Sequence, residues 1–215
     1  MSPSLTRTRL GALAIALAGA LFILYPAVRP WHDESTVDGA IASMSSGAWV
    51  ASHLFAMIGF ILVPLALLAL RGVLAATRSE RLALTGAITA WIGAGLTLPY
   101  YGAEDFGLHE IASSADVDRI DLLAVAEAVR MNPVATTTFA IGLLALGAGA
   151  VMAAVAVWRS GVLARYSGIP FAVGFALFIP QFYAPAAVRI AHGALVGAGC
   201  AWLAWEIRKA ASPQN

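Results

Sequence analysis

The sequence predicts an all-α fold, a polytopic helical bundle in a membrane, and three observations carry that expectation. Of 215 residues, 60% are hydrophobic and only 12% are charged, where a soluble domain carries about 25%. Mean hydropathy is +0.80. Five apolar stretches reach the ~18 residues or more that a helix rising ~1.5 Å per residue needs to cross the hydrocarbon layer, and a sixth is nearly as clean. Together these exclude a soluble enzyme, a disordered chain and a DNA reader. The net charge of +1 leaves no basic surface, so no nucleic-acid partner is expected. A single integral membrane domain over residues 1–215 is expected.

The spans follow in order. The first covers 10–28 and the second 48–70; the third covers 82–100 and the fourth 134–158; the fifth covers 167–183 and the sixth 186–205. The fifth is the shortest and meets the sixth at Ala184-Pro185, where proline favours a sharp turn. Arg7 and Arg9 before the first span resemble the start of a signal peptide. However, the apolar run ends in Tyr25-Pro26 with no small-residue cleavage site, so an uncleaved first span is expected. Arg71, Arg78 and Arg81, then Arg159 and Arg165, then Arg208 and Lys209 fall on the same side as Arg7 and Arg9. The positive-inside rule makes that side cytoplasmic, with both termini, in a multi-pass protein of the cell membrane.

Between spans, only 101–132 is long enough to fold by itself. Within it, 116–131 reads as an amphipathic helix on the outer surface. Val117, Ile120, Leu123, Ala124 and Ala128 form its apolar face, opposite Asp118, Asp121, Glu127 and Arg130, with Ser113 or Ser114 as cap. A connector and a lid over a pocket are both compatible with it. Gly142, Gly147, Gly149 and Ala153 in the fourth span read as a packing seam, and the single Cys200 as a packing residue. The runs starting at Arg71 and Arg159 hint at a duplicated hairpin.

The distribution of polar residues with depth is the most informative feature. The outer third gathers His53, Thr97, Tyr100, Tyr101, Glu104, Asp105, Thr136, Gln181, Tyr183, Arg189 and His192, with His109 and Glu110 in the loop beyond. Ionisable residues inside a membrane are costly and mark a functional site by default. Tyr25, Trp31, Trp49 and Tyr183 read equally as an interfacial belt. Arg189 reads equally as a snorkelling cation or a partner of Glu104.

A carboxylic acid among apolar and aromatic groups resists ionisation and keeps a proton to donate. Glu104 or Asp105 is therefore the expected acid, with His53 and His192 as partners. Tyr100, Tyr101, Phe106, His109, Gln181, Phe182, Tyr183 and Arg189 are the expected substrate-binding residues, the aromatic rings stabilising a cation. That set suits protonation of an alkene or epoxide in an isoprenoid-like or lipid substrate, with no cofactor and no metal. Membrane lipids, and further copies of the chain, are the other expected partners. Two alternatives stand beside it: a non-catalytic lipid-binding, accessory or structural protein, and a haem site on His53 and His192 or a zinc or iron site on those imidazoles with Glu104.

The block Leu98-Pro99-Tyr100-Tyr101-Gly102-Ala103-Glu104, the block Pro180-Gln181-Phe182-Tyr183-Ala184-Pro185, and Arg189-Ile190-Ala191-His192-Gly193 resemble a family of small six-span actinobacterial membrane proteins. They also resemble the small membrane-bound terpene cyclases of indole-terpenoid pathways. That resemblance implies cation-initiated cyclisation of a prenyl chain without metal or diphosphate ionisation. It transfers no catalytic residue position by position, so the residues above rest on their own chemistry.

Overall fold

In the computed structural model, which describes residues 3–210, the chain is helical and has no strand among the described residues. Five helices are long and apolar enough to cross a membrane. They are α1 (Pro3–Val28), α3 (Gly47–Val73), α4 (Glu80–Gly102, continued to Ala112), α7 (Pro133–Ser160) and α10 (Ala186–Ala210). Between α1 and α3 sits the short α2 (Val37–Met44). Beyond α4 come a π-helical turn over Ala103–Leu108, α5 (His109–Ala112) and α6 (Leu122–Arg130). The expected fifth span is not one helix. It is α8 (Ile169–Ala176) and α9 (Phe178–Gln181), separated at Leu177 and begun by Pro170 in the first turn of α8.

The long elements close into a ring in the order α1, α3, α4, α7, α8–α9, α10 and back to α1. Small residues set the approach of neighbours. A Cβ on Gly93 of α4 would lie 2.6 Å from the Gly142 carbonyl oxygen of α7, and one on Gly149 would lie 2.7 Å from the Gly86 carbonyl oxygen. Two antiparallel backbones therefore touch along this seam, where dispersion replaces a hydrophobic drive that lipid cannot supply. Gly142 and Gly149 serve it as expected, while Gly147 faces α8. Cys200 packs against Gly19 at the α1–α10 crossing and is fully buried. Phe22, Phe60, Phe175 and Phe178 fill the ring, with centroids 5.1–5.6 Å apart.

One end of the bundle is basic. Arg9 and Arg208 line one groove, Arg71 pairs with Glu80, and Arg165 stacks 4.3 Å over Trp158. Glu206 accepts the Ala164 amide at 3.0 Å and pins the loop after α7 at this end. The two halves of the suggested duplication end their helices differently. Leu74 closes α3 at φ −92°, whereas Gly161 closes α7 at φ 69°, a left-handed turn that favours glycine.

The opposite end carries a cap with its own small core of Ala40, Met44, Trp49, Leu108, Ala112, Leu122 and Ala126. This changes the reading of 116–131. A 3₁₀ turn over Val117–Arg119 precedes α6, which starts at Leu122 and is capped by the Asp121 side chain accepting from Ala124 N, not by Ser113 or Ser114. Its buried face holds Leu122 and Ala126, while Ala124 and Ala128 are exposed. The helix turns its apolar side onto α2 and the π-helical turn, because the cap offers it a protein surface to bury against.

Candidate functional site

The site lies where the cap meets the bundle, and its charged groups come from four separate segments. The π turn at the end of α4 has wider i→i+5 bonding, a form common at functional sites. It carries Glu104 and Asp105. Glu104 Oε1 accepts from Arg130 Nε at 2.6 Å, and its Oε2 lies 3.8 Å from His53 Nε2. Arg130 also donates to Glu34 Oε2 at 2.8 Å, and Arg29 donates to Glu34 Oε1 at 2.6 Å. Arg29 Nη1 meets His53 Nε2 at 3.4 Å. The chain of charges therefore runs Arg29, Glu34, Arg130, Glu104 and turns back through His53.

Trp49 braces this relay from below. It is fully buried, its Nε1 donates to the Glu104 carbonyl oxygen at 3.3 Å, and the Arg29 guanidinium lies 4.6 Å over its ring. His53 Nδ1 lies 2.8 Å from the Trp49 carbonyl oxygen. A carbonyl only accepts, so Nδ1 donates to it, and Nε2 is the nitrogen turned toward Arg29 and Glu104. Burial works against the charge on Arg29, but Tyr25, Glu34 and Glu104 more than offset it and hold its pKa above the ordinary value. Arg130 behaves alike: burial lowers, and Glu104 and Glu34 together raise, with a net upward shift.

Beside the relay is a cleft of about 540 Å³. Its apolar side is Phe139, Ala140 and Leu143 of α7 with Ile179 and Phe182 at α9. Tyr100 stacks on Phe139 at 4.2 Å, and Tyr101 donates to the Tyr25 hydroxyl at 3.3 Å. Its polar side is Arg29, Glu34, Glu104, Arg130 and Arg189.

Several expected residues meet here and others do not. Glu104, Tyr100, Tyr101, Phe182, Tyr183 and Arg189 line the cleft. Phe106, His109, Gln181 and Asp105 do not. Phe106 is half exposed, and His109 turns its Nδ1 to the Met44 carbonyl oxygen at 2.7 Å, inside the cap. Gln181 lies behind, accepting from Arg189 Nε at 3.1 Å. Asp105 is fully buried, and neither carboxyl oxygen has a hydrogen-bond partner. Glu104 is not the isolated acid expected from its apolar neighbours. It is an ion-pair acceptor, and its partner is Arg130 rather than Arg189.

His192 belongs elsewhere. Its Nε2 contacts the Gly174 carbonyl oxygen at 2.8 Å, and its ring stands edge-on to Phe178 at 5.0 Å. Ring contacts from it reach His53 only through Phe178, Phe60 and Tyr101. The two imidazoles therefore do not face one shared space as axial ligands would, and among the described residues no three His, Cys, Asp or Glu side chains group as metal ligands. The expected aromatic belt also divides. Tyr183 is 89% exposed, whereas Tyr25 and Trp49 are buried in the site and Trp31 stacks on Arg29 and Arg189.

Arg29 and Glu34 were not among the expected site residues and Arg130 was expected only on the polar face of 116–131, although one signal marked the two arginines. Arginines on the side opposite the basic loops run against the positive-inside rule and need a local partner. No protein-family model, curated protein or solved structure matches this chain.

Proposed function

We propose that this protein crosses the cell membrane six times, with both termini cytoplasmic, and binds an isoprenoid-like or lipid chain in the cleft. Two features support the six crossings. The chain leaves α7 at the basic end and enters α10 at the cap end, so 161–185 travels the length of the bundle. Basic loops gather at one end, the side that the positive-inside rule holds in the cytoplasm.

The observation that carries the binding reading is the two-sided lining. Phe139, Ala140, Leu143, Ile179 and Phe182 offer a chain-sized apolar wall directly beneath ion-paired arginines. An apolar chain with a polar end matches both sides, and the cleft falls in the size range of small-molecule pockets. The test is mass analysis of molecules that co-purify with the protein, for wild type and Ala140→Trp, which fills the cleft. A prenyl or acyl species retained by wild type and lost from the variant is the expected result. Equal amounts from both refute the reading.

A second reading places acid–base chemistry on the same chain, the protonation-initiated cyclisation that the sequence resemblance implies. Its supporting observation is the Glu104 carboxylate lining the cleft with the His53 imidazole 3.8 Å behind it. An ion-paired carboxylate is a proton acceptor, so Glu104 serves proton abstraction directly and serves protonation only once Arg130 lets go. Glu104→Gln abolishes turnover under this reading. Full turnover by that variant removes it.

A further inference from the structure

We infer that the cleft is selective for anionic amphiphiles, and that Arg189 is the residue that seats the anionic head. The inference rests on the reading of the cleft as a chain-binding site and adds the class of ligand.

The first argument is a count of charge. Three arginines, Arg29, Arg130 and Arg189, line the cleft against two carboxylates, Glu34 and Glu104. Both oxygens of Glu34 and both of Glu104 face Arg29, Arg130 or His53. Arg189 forms no ion pair among the described residues, and its one side-chain hydrogen bond is from Nε to the neutral Gln181 amide. The cleft therefore holds one positive charge more than its own carboxylates neutralise.

The second argument is preorganisation. The Arg189 guanidinium lies 4.8 Å from the Trp31 ring and 5.4 Å from the Phe182 ring. With Nε tied to Gln181, the two terminal nitrogens form the remaining donor edge. Gln181 is buried and is itself held in the turn that closes α9. A guanidinium held between rings loses little freedom on binding, and its fork matches a carboxylate or a phosphate. Phe182 belongs both to this seat and to the apolar wall, so one molecule reaches both. A ligand with its head on Arg189 thus lays its chain along Phe139 and Leu143.

The test uses 11-bromoundecanoic acid and 11-bromoundecanol, equal chains with an anionic and a neutral head. Binding of each to the detergent-solubilised full chain is read by isothermal titration calorimetry. The acid is expected to bind on the order of tenfold more tightly than the alcohol, the scale of one charge-assisted contact. In Arg189→Gln the preference for the acid over the alcohol should vanish. Arg189→Lys should restore part of it, because the point charge remains and the fork does not. Equal affinity for acid and alcohol in wild type overturns the inference and leaves chain binding standing, as does an acid preference that survives Arg189→Gln. Competition by butyrate or inorganic phosphate as strong as by the long acid also overturns it, since it marks a free-anion site. Binding of neither probe overturns both this inference and the chain-binding reading.

Discussion

Glu34→Gln is the most informative perturbation of the relay, because one carboxylate there serves two arginines. Glu34 Oε1 takes Arg29 at 2.6 Å and Oε2 takes Arg130 at 2.8 Å. Glutamine is nearly the same shape, but it removes the charge and turns one acceptor into a donor that faces a guanidinium. One bond is lost and the other weakened. A hydrogen bond to a charged group contributes about 1.5–3 kcal/mol, and breaking a buried ion pair costs about 3–5 kcal/mol. The three side chains are 8%, 18% and 22% exposed, so solvent reduces these figures without erasing them. A loss of about 2–4 kcal/mol follows, felt by the cap that Arg130 ties down. Hydrogen exchange followed by mass spectrometry measures it locally. Amides of α6 should exchange roughly 30- to 1,000-fold faster, while those along the α4–α7 seam keep their protection. A change in α6 below about threefold, or an equal change along the seam, refutes the view that the relay fastens the cap.

Three further outcomes are expected. Gly93→Val should destabilise the bundle by at least ~1–3 kcal/mol, since the new Cβ meets backbone of α7 at 2.6 Å, whereas Gly95→Ala meets nothing within 4 Å and should be neutral or slightly stabilising. Thiol labelling of the buried Cys200 during SDS titration separates the two. His192→Ala should leave occupancy of the cleft unchanged by co-purification, because that imidazole is bonded to the Gly174 carbonyl oxygen and is not among the residues lining the cleft. Ser35→Ala should raise the Asp33 pKa toward its ordinary value, read by carboxyl NMR, because the Ser35 hydroxyl and amide hold it down. A depressed carboxylate stabilises the fold above its unfolded pKa, and that contribution is lost as pH falls through the folded one. The variant should therefore lose part of this acid-side dependence and keep the part held by the residue-35 amide.

Helix positions and bundle class were legible because they follow from local quantities. Hydropathy over one helix length locates α1, α3, α4, α7 and α10, and the small residues of 142–153 mark a close seam wherever the partner lies. The convergence of Glu104, Tyr100, Tyr101 and Arg189 was also legible, since residues at one end of neighbouring helices share a depth whatever their order around the ring. The break at Leu177 was not, because an apolar run of 167–183 reads the same whether or not its helix is continuous.

By itself, then, the sequence determined a membrane-type helical bundle with a basic end and a polar opposite end. These depend on composition and on period along one helix. Only the tertiary structure decided which charges meet. Arg130 lies 26 residues from Glu104 and 96 from Glu34, so nothing in the local pattern joins them. On a solitary surface helix Arg130 points to water; with Leu122 and Ala126 buried in the cap, it reaches Glu104 and turns an expected acid into an ion-paired carboxylate. Pairing energy depends on distance and burial, and those exist only once separate helices have packed.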